Sequence, residues 1–315
     1  MTGSTESSRI EFRSTLEGEY LDVFTAEAVA AIEALAPLDA LRREVMHARI
    51  RRRLDRYENS TRIDFLASDA SIPRSHIGVQ DAREGKFVGS EIPPDLRRQW
   101  IQGTGPAARP GAQTEKSIRN VAYALLSGAD GWMFDGEDAL GQSTTMSLDN
   151  QRNLKLAIAR DPVFLSTAEV VSGEMNAWAR DFFRRDIIDD WREQLDVTTV
   201  IFRARGLHLD DRHVRNCDGS GFSASIVDTC LFVVNNHKLL SAAGHSVVLY
   251  LPKIQTAEEA AVWNRILEAL ERHLQIEVGT IKVYVLVEQV EASFQLMEIR
   301  AALGQHFVGF NTGRW

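Results

Sequence analysis

Residues 246–287 read SVVLYLPKIQTAEEAAVWNRILEALERHLQIEVGTIKVYVLV. Two largely apolar runs, 246–251 and 281–287, bracket a segment of helical period. Runs without alternation are what strands covered on both faces of a parallel sheet look like. The segment 257–273 opens on a Thr256-x-x-Glu259 capping box and aligns Trp263, Ile266, Leu267 and Leu270 on one side. Strand, helix, strand in that order predicts a β-α-β unit with a right-handed crossover.

The pattern extends both ways. Further strands are expected at 99–103, 131–134, 198–202 and 307–310. A helix over 115–127 would present Ile118, Val121, Ala122, Leu125 and Leu126, with Thr114 as N-cap and Gly128 as stop. Another over 290–303 would align Val290, Phe294, Met297 and Ala301 and stop at Gly304. Before residue 99 the reading changes. Residues 25–57 are rich in Ala, Glu, Leu and Arg, lack Gly, and are divided by Pro37 into two helices. The second carries Arg42, Arg43, Arg49, Arg51, Arg52 and Arg53, read as a solvated or partner-facing surface. Residues 58–98, with Pro73, Pro93 and Pro94, read as a connecting segment.

Alternating strands and helices give an α/β fold, and a doubly wound sheet satisfies that much. The polar residues at the strand ends favour a barrel. GWMF is followed by Asp135, Glu137 and Asp138, and TTVIF by Arg203 and Arg205. VVLYLP is followed by Lys253, VYVLV by Glu288, and FVGF by Asn311 and Arg314. In (β/α)8 barrels the active site is built at the C-terminal ends of the strands. The fold class is therefore a TIM-type (β/α)8 barrel, incomplete at about six strands, preceded by an N-terminal α-helical segment. The domain division is 1–98, helical and linker, and 99–315, partial barrel.

Of the 315 residues 44% are hydrophobic, enough for a sizeable core, and the net charge of −8 argues against a nucleic-acid partner. Two cysteines cannot make a disulfide framework or a four-cysteine zinc site. No signal peptide and no run near the ~20 apolar residues of a membrane span is visible, so a cytoplasmic protein without a membrane partner is expected. No phosphate-binding GxxxxGK[ST], no GxSxG elbow and no HExxH spacing occurs. Asp135, Glu137, Asp138 and Glu288 are hard oxygen donors of the kind Mg2+ takes. From the residues alone, the chemistry is a carbonyl or phosphoryl substrate on a divalent metal.

The same residues carry a resemblance to malate synthases. QGTGPAARPGAQTEKSIRNVAYALLSGADGWMFDGEDA (102–139) resembles that family's segment from a T-G-P to a phenylalanine-x-glutamate-aspartate-alanine end. FRARGLHLDDRHV (202–214) is similar to its R-P-R-G-W-H-L strand end, with Leu207 in the tryptophan's place. Residues 249–299 resemble its block around L-P-K and G-T-I-K, and FVGFNTGRW (307–315) its G-R-W-D approach. The likeness covers about 100–315, and more loosely 63–99. Segment 139–197 and Gly136 match weakly.

The resemblance implies Mg2+-dependent condensation of acetyl-CoA with glyoxylate, giving malate and CoA in the glyoxylate cycle. It matches Arg203 to the arginine that stabilises the enolate, and Glu288 to a metal ligand. Glu137 and Asp138 match the acidic pair near the metal and its waters. Gly313, Arg314 and Trp315 match the loop that receives the glyoxylate carboxylate. The family's second metal-binding aspartate is expected just after Trp315, and its catalytic base in a later helical region, so these 315 residues are not expected to be active alone. A citrate lyase β or malyl-CoA lyase type of CoA-ester lyase, and an inactive barrel, are the alternative readings. Oligomeric state is not readable.

Overall fold

The computed structural model describes residues 9–13, 16–97, 101–103, 114–138 and 145–313. In chain order the first elements are β1 (Ile10–Phe12), α1 (Leu16–Glu19), α2 (Ala26–Leu35), α3 (Pro37–Asn59) and α4 (Val79–Arg83). Next come β2 (Ile101–Gly103), α5 (Thr114–Leu125), β3 (Gly131–Asp135), α6 (Met146–Ile158), α7 (Pro162–Phe183) and α8 (Trp191–Val197). They are followed by β4 (Thr199–Arg203), β5 (Asp210–Asn216), β6 (Gly221–Ser223), α9 (Ala224–Ala242) and β7 (Val247–Leu251). The last are α10 (Ala257–Leu274), β8 (Ile281–Val287), α11 (Leu296–Leu303) and β9 (Phe307–Thr312). They fall into two compact units, one of residues 92–204 and 231–250, the other of residues up to 91, 205–230 and from 251 on.

In the first unit β2, β3, β4 and β7 lie side by side in that order, all parallel. Neighbours in the sheet follow chain order without reversal. A doubly wound sheet would reverse at a switch point, so the order is that of a barrel wall. The strand interiors are apolar because helices cover the sheet. Trp132 stands edge-on to Phe134 at 5.2 Å, and Phe202 stacks on Phe232 of α9 at 4.8 Å. Asp95 pins the starts of two strands, accepting from the Ser246 amide and hydroxyl at 2.8 Å each and from the Thr199 hydroxyl at 3.3 Å. The sequence reading left 139–197 without elements. Residues 146–197 are in fact almost wholly helical, α6 to α8.

In the second unit β8 and β9 pair in parallel, and α10 packs against α2, α3 and α11. Trp263, Ile266, Leu267 and Leu270 of α10 are buried as their spacing predicts. The Thr256 hydroxyl caps the helix by accepting from the Glu259 amide. Glu259 does not close the box on Thr256. Its carboxylate instead accepts from the Gln255 amide at 2.7 Å and from Arg49 and Arg52 at 2.7 and 3.1 Å. Arg42 likewise bridges Asp39 and Asp210, and Arg56 meets Glu291. The basic surface of α3 thus faces carboxylates of its own unit.

Three sequence expectations need correction here. Residues 290–303 are not one helix: a 3-10 turn over Val290–Phe294 ends at Gln295, and α11 begins at Leu296. Gln295 leaves helical geometry, and its side-chain oxygen accepts from the first amide of α10, Ala257, at 3.0 Å. The connecting segment 58–98 holds the short α4 and an antiparallel bridge between Ser71 and Gly78. Residues 210–223, for which no strand was expected, form the β5–β6 hairpin of a three-stranded antiparallel sheet with β1, turning at 217–220. The Thr114 cap lies outside the described side chains, whereas Gly128 does stop α5 with a φ of 77°. No helix among the described residues is long and apolar enough to cross a membrane.

Candidate active site

Arg203 is the last residue of β4, and in the parallel register it lies opposite Asp135, the last residue of β3. The adjoining strand ends thus place a guanidinium beside the Asp135–Asp138 turn. Nη2 of Arg203 donates to Glu137 at 2.7 Å and to Asp138 at 2.6 Å, and Nη1 reaches Asp135 at 3.4 Å. Arg203 is 5% exposed and Glu137 3%. The turn is closed from within, since Asp135 accepts from the Glu137 amide at 2.9 Å. Burial opposes the Arg203 charge, but Asp135, Glu137 and Asp138 outweigh it and hold the guanidinium above its ordinary range. The arrangement is a fixed cation whose donors are oriented before any ligand arrives.

Gly136 explains itself here. Its amide donates to the Arg203 carbonyl at 2.9 Å. A Cβ at this position would stand 2.5 Å from that carbonyl oxygen and 3.0 Å from the Phe202 ring. The weak match at Gly136 is therefore a close backbone approach that excludes any side chain. Gly136→Ala is expected to push the Asp135–Asp138 turn off β4 and destabilise the protein by about 1–3 kcal/mol. Chemical denaturation measures it; an unchanged midpoint contradicts the close approach.

Glu288 belongs to the other unit and directly follows β8. Its two oxygens take the Lys253 amide at 3.0 Å and the Lys253 ammonium at 2.8 Å. Lys253 has a φ of 56°, and its carbonyl accepts from Arg49. The Gly313 amide donates to the Val287 carbonyl at 2.9 Å, which sets the loop after β9 beside the residue that precedes Glu288. Glu288 and Gly313 are thereby brought together. Arg314 and Trp315 lie outside the described residues.

A cation site can be judged on the donors present. Glu288, Glu137 and Asp138 have the hard oxygens that Mg2+ takes, usually one or two at a time. No group of three or more His, Cys, Asp or Glu that could cage a metal occurs among the described residues. Each unit by itself supplies one or two carboxylates of the kind a Mg2+ completed by substrate and water takes.

Arg205, also at a strand end, is structural. It is 3% exposed; Asp228 accepts from its amide and guanidinium at 2.6–2.9 Å, and Asp211 at 2.6 Å. Residue type and strand-end position did not separate this arginine from Arg203; only the family resemblance singled Arg203 out. Lys253 had been singled out as a strand-end cation. Its pairing with Glu288 had not been read, and the signal available was the L-P-K turn after β7.

A parallel β/α barrel wall with a buried arginine among carboxylates at its strand ends defines the class: a TIM-barrel domain. The family profile for malate synthase, TIM barrel domain, matches residues 199–315. Malate synthase A of Escherichia coli is 29% identical over 99% of this chain and 51% of its own length. The malate synthase of Myxococcus xanthus is 31% identical over 96% and 49%. The bifunctional glyoxylate cycle protein of Caenorhabditis elegans is 32% identical over 100% and 30%. The chain belongs to the malate synthase family, and it spans about half or less of the length of these relatives.

Proposed function

We propose that this chain carries the acyl-activating part of a malate synthase-type enzyme, which joins acetyl-CoA, glyoxylate and water into malate and CoA, as in the glyoxylate cycle. The observation that carries the reading is Arg203, buried and fixed by Asp135, Glu137 and Asp138 at the end of β4. A fixed guanidinium stabilises the negative charge that develops on the thioester oxygen as the methyl group loses its proton. Glu137 and Asp138 hold that guanidinium in place, and in this reading would be the acidic pair that hydrogen-bonds to the metal's water ligands. Glu288 would be a Mg2+ ligand, and the amides around Gly313, Arg314 and Trp315 would receive the oxo-acid carboxylate. A bound Mg2+ would orient the oxo acid and sharpen its aldehyde as an electrophile. Attack by the enolate carbon gives malyl-CoA, whose thioester is then hydrolysed. Residues 99–315 form the catalytic part in this reading, and 1–98 the N-terminal helical part. A cytoplasmic setting belongs to the same proposal and rests on the sequence.

Glu288→Ala tests the metal assignment in the protein with any sequence that follows residue 315 in its gene. The Mg2+ concentration for half-maximal turnover is expected to rise by about tenfold or more. An unchanged Mg2+ titration moves the metal away from Glu288.

A further inference from the structure

We propose that a second pocket, on the unit that carries Glu288, binds a small organic anion. The pocket encloses about 570 Å3 between the Arg74–Val88 segment, α10 and the residues entering β9. That is ample for a metabolite and within the usual range of small-molecule sites. Val278 stands just before β8, and Gln305 and His306 just before β9, so the pocket opens at the N-terminal ends of these strands. Glu288 follows the C-terminal end of β8. The seven residues of that strand put roughly 23 Å between the two places. The N-terminal end of a barrel strand is not where its chemistry is built, so an occupant here is a separate ligand.

The charge on the walls decides its sign. Arg74, His76, Lys86 and Arg265 line the pocket together with Asp81 and Glu268. Both carboxylates are already engaged. Asp81 faces Lys86 at 3.8 Å, and Glu268 accepts from the Asn264 amide at 2.8 Å and from Arg272. Arg74 is spent on Glu258 and Glu44. The side chains of Arg265 and His76 make no hydrogen bond or ion pair among the described residues. The unspent groups are therefore an arginine and a histidine over one concavity. An arginine over a concave wall draws an anion more strongly than the same group on a convex surface, and the His76 ring N–H can donate to that anion.

The inner wall is rigid. His306 is held through one ring nitrogen by the Asn264 carbonyl oxygen at 2.7 Å and through the other by Glu271 at 2.9 Å. Glu271, wholly buried, also takes the Gly279 and Ile281 amides at 3.0 and 2.7 Å. Phe87, Val88, Ala261 and Ala302 supply an apolar flank. The chemistry that fits is a carboxylate or phosphate on a short apolar body.

Calorimetric titration of the full chain at constant ionic strength, with inorganic phosphate in one arm and succinate in the other, tests this. Saturable binding in at least one arm is expected, and the arm that binds tells phosphate from carboxylate. The double substitution Arg265→Ala with His76→Ala, both exposed, is expected to weaken that binding by about tenfold or more while leaving the ligand-free melting temperature unchanged. No saturable binding in either arm overturns the proposal, and so does equal binding by the double variant.

Discussion

Arg203→Ala is expected to lower kcat by roughly 10²-fold or more, the usual loss when one donor to a developing oxyanion is removed. The effect should fall on kcat more than on KM, because the guanidinium matters most where charge develops. Arg203→Lys separates positioning from charge. The lysine keeps a cation but loses the planar fork, whose Nη2 serves Glu137 and Asp138 at 2.7 and 2.6 Å while Nη1 reaches Asp135 at 3.4 Å. Its kcat should fall nearly as far as that of the alanine variant. Steady-state kinetics on folded protein is the measurement, with circular dichroism to establish folding, since Ala leaves the buried Glu137 without its cation. Near-unchanged turnover in either variant removes Arg203 from the chemistry.

Arg205→Met is the larger blow to stability. Asp211 and Asp228 are both wholly inside, and each is 2.6 Å from the Arg205 guanidinium. Removing the shared cation strands two carboxylates, a loss of about 3–5 kcal/mol. The triple replacement Arg205→Met, Asp211→Asn, Asp228→Asn is expected to recover much of it, since stranded charge rather than lost attraction is the main cost. Urea denaturation reads both, and a single variant within about 1 kcal/mol of the parent contradicts the account. The same network gives a pH dependence. Burial alone would raise the Asp211 carboxyl, but Arg205 and the Val214 and His213 amides outweigh it and hold it below the usual carboxylate range. A depressed acid stabilises the fold fully above its unfolded value near 3.9. That contribution is lost as the pH falls through the lower folded value. In Arg205→Met burial is no longer outweighed by the guanidinium, so the acid-side loss that Asp211 contributes should shrink or reverse, because protonation then relieves the stranded carboxylate.

The strands were readable because a strand covered on both faces leaves a largely apolar run without alternation, as 246–251 and 281–287 do. The helices 257–273 and 115–127 were readable from period and stop signals. What failed was local competition. Val290–Gln295 keeps a helical spacing, yet the Gln295 side chain is more use to the first turn of α10 than to its own helix. The β5–β6 hairpin carries DDRHVRN and GFS, charged and short, with no alternation to show it. At the site, residue types at strand ends were informative, because parallel neighbours put strand termini side by side. Asp135 and Arg203 meet for that reason. Residue type and strand-end position did not separate the roles of Arg203 and Arg205; the resemblance did, by matching Arg203 alone. They differ only in what surrounds them, an open acidic turn in one case and a closed triad in the other.

Release of CoA thiol from acetyl-CoA on addition of glyoxylate and Mg2+, followed by product analysis, tests the central reading most directly. The protein should be assayed with any sequence that follows residue 315 in its gene. Glyoxylate-dependent thiol release with malate as the product is the predicted result. No thiol release, or cleavage of malyl-CoA to acetyl-CoA and glyoxylate without net hydrolysis, would contradict it.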